Sequence, residues 1–302
     1  MVTKKKQHAD IEGRLSNTNS LIPAILSRRS VRVYEQRPLS EEDLEKINQI
    51  QNSVMPLFPK YIFSNDMQTR EKKQNIVEIL GAYGHIISPP YYFVPSIHGK
   101  SYPLIDLGFR MQQIAVGLWS IGIGSCFIGC LSREAKVRQL FMIPPEDRIA
   151  AFLVFGYPAR SNGIQSLIEI GKFAKGNSGR KKIEEVFFYD DFNSPGLPPT
   201  SLEKILECAQ AAPSAVNAQP WRFLLRNKKL FLYVNCKPKQ FLLPENDDYC
   251  FHDGGTCLAN IFMAANSLGI KMYWEFIDHM SDNRNLPKKE FLVPLVEIII
   301  KN

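Results

Sequence analysis

Apolar residues recur at helical spacing in two long stretches of the chain. Leu107, Met111, Ile114, Leu118 and Ile121 fall at i, i+4, i+7, i+11 and i+14, one face of a helix. Leu258, Ile261, Phe262, Ala265 and Leu268 form a second such stripe. Gly122 and Gly269 stand where the stripes end, and a glycine there supplies the left-handed residue that commonly closes a helix. Short apolar runs predict strands at 91–94, 149–155, 223–225, 230–234 and 295–300. Two further helical patterns open at Leu44, behind a capping Ser40, and at Leu202, behind Thr200-x-x-Glu203, which has capping-box spacing. The Gly-, Ser- and Asn-rich stretch 160–179 reads as an extended connection, and the Pro-rich 194–199 introduces the helix that follows it.

The two long stripes belong to a repeat. Asp106, Gly108, Gln113 and Gly122 are matched, 147 residues later, by Asp253, Gly255, Asn260 and Gly269. Leu44-Glu-Lys-Ile47 is matched in the same order by Leu202-Glu-Lys-Ile205, and each half ends in an apolar strand. Two related α+β halves are expected, 17–188 and 189–302, behind a solvated tail at 1–16.

Composition removes several classes. With 302 residues, 45% hydrophobic and 22% charged, the chain can bury a sizeable core, which excludes collagenous and mainly disordered readings. No apolar run approaches the roughly 18 residues of a membrane helix. The start, rich in lysine but lacking an apolar segment, resembles neither a signal nor a transit peptide, so a cytoplasmic location is expected. The net charge of +7 is spread along the chain, and no nucleic-acid-binding signature accompanies it, so neither nucleic acid nor membrane is expected as a partner. The six cysteines and five histidines show no metal-site spacing. A chain of this size does not need disulfides, and all six thiols are expected to be reduced.

Two segments carry candidate chemistry. In Ser27-Arg28-Arg29-Ser30-Val31-Arg32, alternation puts Arg28, Ser30 and Arg32 on one side of an extended segment. Arginine forks and serine hydroxyls suit a phosphate, while the plain alternative is a solvated basic turn. In Ala212-Pro213-Ser214-Ala215-Val216-Asn217-Ala218-Gln219-Pro220-Trp221, small residues and prolines let backbone approach a flat ligand. The plain alternative there is a helix C-terminal turn anchored by Trp221.

Together the two segments resemble the FMN-dependent nitroreductase family, which carries an R-R-S-x-R segment and an A-P-S-x-x-N-x-Q-P-W loop. Asp106 to Gln113, Ile121-Gly-Ile-Gly-Ser-Cys126 and Phe155-Gly-Tyr-Pro158 match further motifs of the family. The resemblance implies a nitroreductase-like α+β fold, with a central mostly antiparallel sheet flanked by helices. In that family a homodimer builds its flavin sites at the subunit interface. Here the first half holds the arginine segment but reads Asn52 to Lys60 where the loop should stand. The second half holds the loop but reads Glu184 to Phe192 where the arginines should stand. That pattern is a pseudodimer within one chain, with one intact site and one lost, for which a monomer suffices.

What the resemblance implies can be carried onto residues. Arg28 and Ser30 would hold the FMN phosphate with Arg29 nearby, and Arg32 would reach the ribityl chain or the ring edge. Ile128 and Gly129 would lie by flavin N5, Arg180 would close over the phosphate, and Pro213, Ser214, Ala215 and Asn217 would cover the ring. NAD(P)H would reduce the flavin by hydride transfer at N5, and a small electron-poor acceptor, a nitroaromatic or quinone, would follow in ping-pong fashion. No catalytic side chain and no metal is called for, because the cofactor carries the chemistry. The same fold is also compatible with reductive dehalogenation, flavin breakdown, or non-catalytic flavin binding or sensing.

Overall fold

The computed structural model describes residues 20–69, 87, 89–159, 179–236, 249–277 and 284–301. The 1–16 tail, and all of the 160–179 connection except Gly179, lie outside the described residues. In chain order, α1 (Ile22–Ser27) and α2 (Glu41–Asn52) precede β1 (Ile62–Thr69) and β2 (Tyr91–His98). The helix α3 (Pro103–Ser120) leads into β3 (Gly124–Gly129), α4 (Glu134–Phe141) and β4 (Ala151–Gly156). Then come β5 (Phe187–Tyr189), α5 (Thr200–Gln210), β6 (Trp221–Arg226), β7 (Lys229–Asn235), α6 (Tyr249–Ser267), β8 (Lys271–Phe276) and β9 (Leu292–Lys301).

The strands form two sheets with matching order. The first runs β1-β2-β4-β3, and the second repeats that order as β6-β7-β9-β8 with β5 added beside β6. All pairings are antiparallel except β5 with β6. The strand β5 spans the expected boundary at 188/189 and joins the second sheet.

The repeat has a contact for each of its shared residues. The long helices α3 and α6 cross at their matched glycines. A Cβ on Gly108 would lie 2.1 Å from His252 O, and one on Gly255 would lie 2.0 Å from Ile105 O, so only glycine permits this approach. Asp106 accepts from the Leu57 N–H (2.9 Å), and Asp253 from the Ala215 N–H (3.0 Å), holding the loops that follow α2 and α5 respectively. Gln113 holds Met55 through both backbone groups, while Asn260 donates to Cys208 O (2.8 Å). Gly122 and Gly269 close their helices at φ +83° and +69°.

The first helix crosses between the halves. A six-residue helix is not stable alone. Here Ile25 is buried in the core built by α5 and α6, a contribution of about 1.5–3 kcal/mol. The Leu21 N–H donates to Ser267 Oγ at the far end of α6 (3.1 Å). The chain then returns to the first sheet, where Ser30 bridges Ser125 on β3 and Tyr34 bridges Pro158.

Two expectations are corrected. Cys236 and Cys250 form a disulfide, with Cα atoms 5.4 Å apart, rather than remaining thiols. Size removes the need for a disulfide but not the opportunity: the fold brings the end of β7 against the first turn of α6, a proximity the spacing of 14 does not reveal. Cys126, Cys130, Cys208 and Cys257 are buried free thiols, and burial pushes Cys208 up to about 11. Second, α5 begins at Thr200 with Pro199 as its cap, so the Thr200–Glu203 capping box does not form. The Ser40 cap does form, accepting from the Asp43 N–H (3.1 Å). Reducing the disulfide should cost roughly 2–3 kcal/mol, the range for a loop of this length. Urea midpoints with and without a dithiol measure it, and Cys236→Ser should show the same loss and no response to the dithiol.

Candidate functional site

The arginine segment sits where the two halves meet. Arg28 closes α1, its N–H bonded to Ala24 O (2.9 Å), and the chain becomes extended beyond it. The Val31 N–H donates to Ser125 O (2.9 Å), and the Tyr34 hydroxyl donates to Val31 O (2.6 Å), fixing the segment to the first sheet. Val31 and Tyr34 enter the core under that sheet. Arg28 is buried, Ser30 and Arg32 are half-buried, and Arg29 is exposed. Arg32 Nη1 lies 3.5 Å from Ser30 O.

Arg180, near the end of the first half, meets this segment and reaches across to the second half. Its guanidinium donates to Ala212 O (2.6 Å) and Ala211 O (2.8 Å), carbonyls just past the end of α5, where a cation also suits the helix dipole. The loop beyond is tied down at each turn. Ser214 Oγ accepts from the Gln219 N–H (2.9 Å), Thr256 Oγ1 donates to Pro213 O (2.8 Å), and Asn217 Nδ2 donates to Gly179 O (2.8 Å). Pro213, Ser214, Ala215 and Asn217 are half-buried. Val216, Asn217 and Gln219 all adopt positive φ (48°, 59° and 48°). For the β-branched Val216 this is a strained conformation costing about 1–3 kcal/mol, of the kind that gathers at ligand-binding loops.

The electrostatics of this junction are one-sided. Arg28 Nε and Nη1 are buried without a hydrogen-bond partner. Burial first, and then the neighbouring Arg180 and Arg32 guanidinium groups, pull Arg28 down to about 10, with Cys126 acting in the opposite sense. Burial likewise lowers Arg180. Among the described residues, no carboxylate pairs with either guanidinium.

On β3, Ile128 is buried in the core and Gly129 is exposed. The Tyr249 hydroxyl lies over Gly129, 2.3 Å from where a Cβ would stand, and accepts from the Leu131 N–H (3.0 Å). Sequence reasoning missed Tyr249, although Tyr102 and Tyr249 obey the same 147-residue repeat and each precedes the matched aspartate by four. It also missed Ser125, whose buried hydroxyl has no partner.

The pseudo-symmetric counterparts of these positions are filled. Leu57, the counterpart of Ala215, is fully buried in the core, with Met55 and Phe58 packed against it. Phe276, the counterpart of Gly129, packs on Phe58 with ring centroids 4.6 Å apart. Arg110, the counterpart of Cys257, is spent on Asp106 (2.9 Å) and Phe58 O (3.3 Å). Glu184, Glu185, Asp190 and Asp191 are exposed around β5.

Comparison with known proteins decides the family. Residues 20–239 match the family described as "Putative TM nitroreductase". The chain belongs to that family. Membership makes oxidoreductase the class of activity. A relative in Methanothermobacter thermautotrophicus, described as "Putative NADH dehydrogenase/NAD(P)H nitroreductase", is 26% identical over 171 residues, covering 53% of this chain and 87% of the relative. A nitroreductase-family crystal structure from Thermotoga maritima aligns over 97% of this chain and 99% of its own, at 18% identity and a TM-score of 0.55. The nitroreductase-like fold therefore extends over both halves. Among the described residues, no helix is long and apolar enough to cross a membrane.

Proposed function

We propose that this nitroreductase-family chain is an FMN-dependent NAD(P)H oxidoreductase acting on electron-poor acceptors such as nitroaromatics or quinones, with one flavin site built between its two halves. The observation that carries the reading is the buried, unpartnered Arg28 guanidinium facing Arg180. Leaving a charged group unsatisfied in the interior is costly, and an anion with oxygen acceptors at that point removes the cost. A phosphate monoester fits: Arg28 and Arg180 would bind it, Ser30 would add a hydroxyl, and Arg29 would contribute charge from the surface. Arg32 would hold the polar chain that follows, or the edge of the ring. Pro213, Ser214, Ala215 and Asn217 would cover the ring on a loop already pinned by Asp253 and Gly179, with Ile128 and Gly129 on the opposite side.

FMN, when bound, supplies the hydride-accepting and hydride-donating chemistry. The chain's own work is to bind, orient and exclude. Arg28 and Arg180 neutralise the phosphate. Internal hydrogen bonds hold the 213–219 loop, so little is left to order on binding. The half-buried loop limits water at the site. No side chain is asked to act as acid, base or nucleophile.

The two halves 17–188 and 189–302 make up this pseudodimer, so one chain is sufficient for the site. The second set of positions offers carboxylates for a phosphate and a packed Leu57, Phe58 and Phe276 for a ring. Titration of the flavin-free protein with FMN is therefore expected to saturate at about one equivalent per chain, with NAD(P)H oxidised when menadione is supplied. Saturation at two would overturn the single-site reading. Binding without turnover would leave a flavin-binding or sensing protein in place of an enzyme.

A further inference from the structure

We propose that Ser125, on β3, is a ligand of the anionic group held by Arg28 and selects phosphorylated over unphosphorylated flavin. The inference rests on the site just proposed, but its starting point is separate. Ser30 and Ser125 form a parallel bridge. Residues paired across neighbouring strands point their side chains to the same face. Arg28, Ser30 and Arg32 alternate along that extended segment, so Ser125 shares their face. The intervening Val31 points the other way, against Gly124, where a Cβ would lie 2.6 Å from Val31 Cγ2.

Three polar atoms on this face are buried without partners: Arg28 Nε, Arg28 Nη1 and Ser125 Oγ. Ser125 is 1% exposed and Arg28 is 7% exposed. Folded proteins rarely leave such atoms unmatched, and groups of them mark a missing ligand. A guanidinium donates only, so the shared partner must be an acceptor. A serine hydroxyl can donate to the same acceptor. A phosphate oxygen cluster meets both demands, whereas a ribityl hydroxyl supplies no charge for Arg28.

The test uses the full-length flavin-free protein and its Ser125→Ala variant, with FMN, riboflavin and inorganic phosphate as separate probes. Flavin fluorescence quenching gives the affinities, and thermal melts give the response to phosphate. Ser125→Ala is expected to weaken FMN by about tenfold or more, the effect of one hydrogen bond to a charged group, and to leave riboflavin unchanged. The phosphate needed for a given rise in melting temperature should increase by a similar factor. Without ligand, the variant should melt no lower than the native chain, because it no longer buries an unmatched hydroxyl; a purely structural serine would show the reverse. Equal FMN affinity, an equal loss for riboflavin, or a phosphate response independent of Ser125 would overturn the proposal. A Ser125-dependent phosphate response in a chain that binds no flavin would sink the flavin reading and leave the anion site standing.

Discussion

Replacing Arg28 with methionine should move the flavin-free protein and its FMN complex in opposite directions. Methionine keeps the length of the side chain and removes the charge. The complex loses hydrogen bonds to a phosphate, so FMN affinity should fall by roughly 1.5–3 kcal/mol, or about 10–150-fold. The flavin-free protein loses a buried guanidinium that lacks a partner and is opposed by Arg180 and Arg32. Its stability at pH 7 should rise, by something on the order of 1–3 kcal/mol. The sign follows from the pKa. Burial holds Arg28 at about 10 in the folded chain, well below its ordinary value. Below pH 10 both folded and unfolded chains carry the proton, and the folded chain bears the full burial cost. That cost is relieved as pH rises from about 10 towards the ordinary arginine value, so native stability should gain relative to the variant over that window. Urea unfolding of both proteins at pH 7 and pH 10.5, with FMN dissociation constants at pH 7, checks each part. An unchanged FMN affinity would take Arg28 out of the site.

The crossing of α3 and α6 should be the least tolerant place in the fold. Gly255→Val would put a Cβ 2.0 Å from Ile105 O and 2.9 Å from Phe109 N, both backbone atoms that cannot rotate away. The helices would have to separate by more than an ångström, and Ile105, Phe109 and Val116 of α3 share one core with Leu258, Ile261 and Phe262 of α6. The loss should exceed about 4 kcal/mol, beyond ordinary overpacking, and leave little soluble folded protein. Gly108→Val meets His252 O in the same way and should behave alike. A Gly255→Val chain with a urea midpoint near that of the native protein would mean that the helices can slide apart without penalty.

These two sites were legible in the sequence for different reasons. Asp106, Gly108 and Gln113 recur as Asp253, Gly255 and Asn260 because each makes a contact that few residues can make. The aspartates accept loop N–H groups, the glycines let the helices touch, and the amides hold backbone from the preceding helix and loop. Such constraints survive as identities. The sidedness of the arginine segment was legible too, since alternation alone separates Val31 from Arg28, Ser30 and Arg32. The same alternation sets Arg29 apart from them, and it is exposed. Other features leave weaker marks. The strand β1 (Ile-Phe-Ser-Asn-Asp-Met-Gln-Thr) lies at a sheet edge and is largely polar, so no apolar run announces it. The strand β3 hides in a glycine-broken apolar stretch continuous with α3. Tyr249 over Gly129 and the Cys236–Cys250 disulfide join residues far apart or uninformatively spaced, and only the folded chain brings them together.

The glycine crossing at Gly108 and Gly255 also bears on how such a site can change over generations. In an assembly of two identical chains, every mutation arrives on both sides of the axis at once, so one pocket cannot be given up while its mirror image is kept. With both halves encoded in a single gene, each side drifts alone. Gly129 stays bare while Phe276, at the same place in the other half, becomes packing. The covalent link has a second result: the partner across the seam is always present, so the junction where Arg180 bonds the Ala211 and Ala212 carbonyls does not come apart when the protein is scarce.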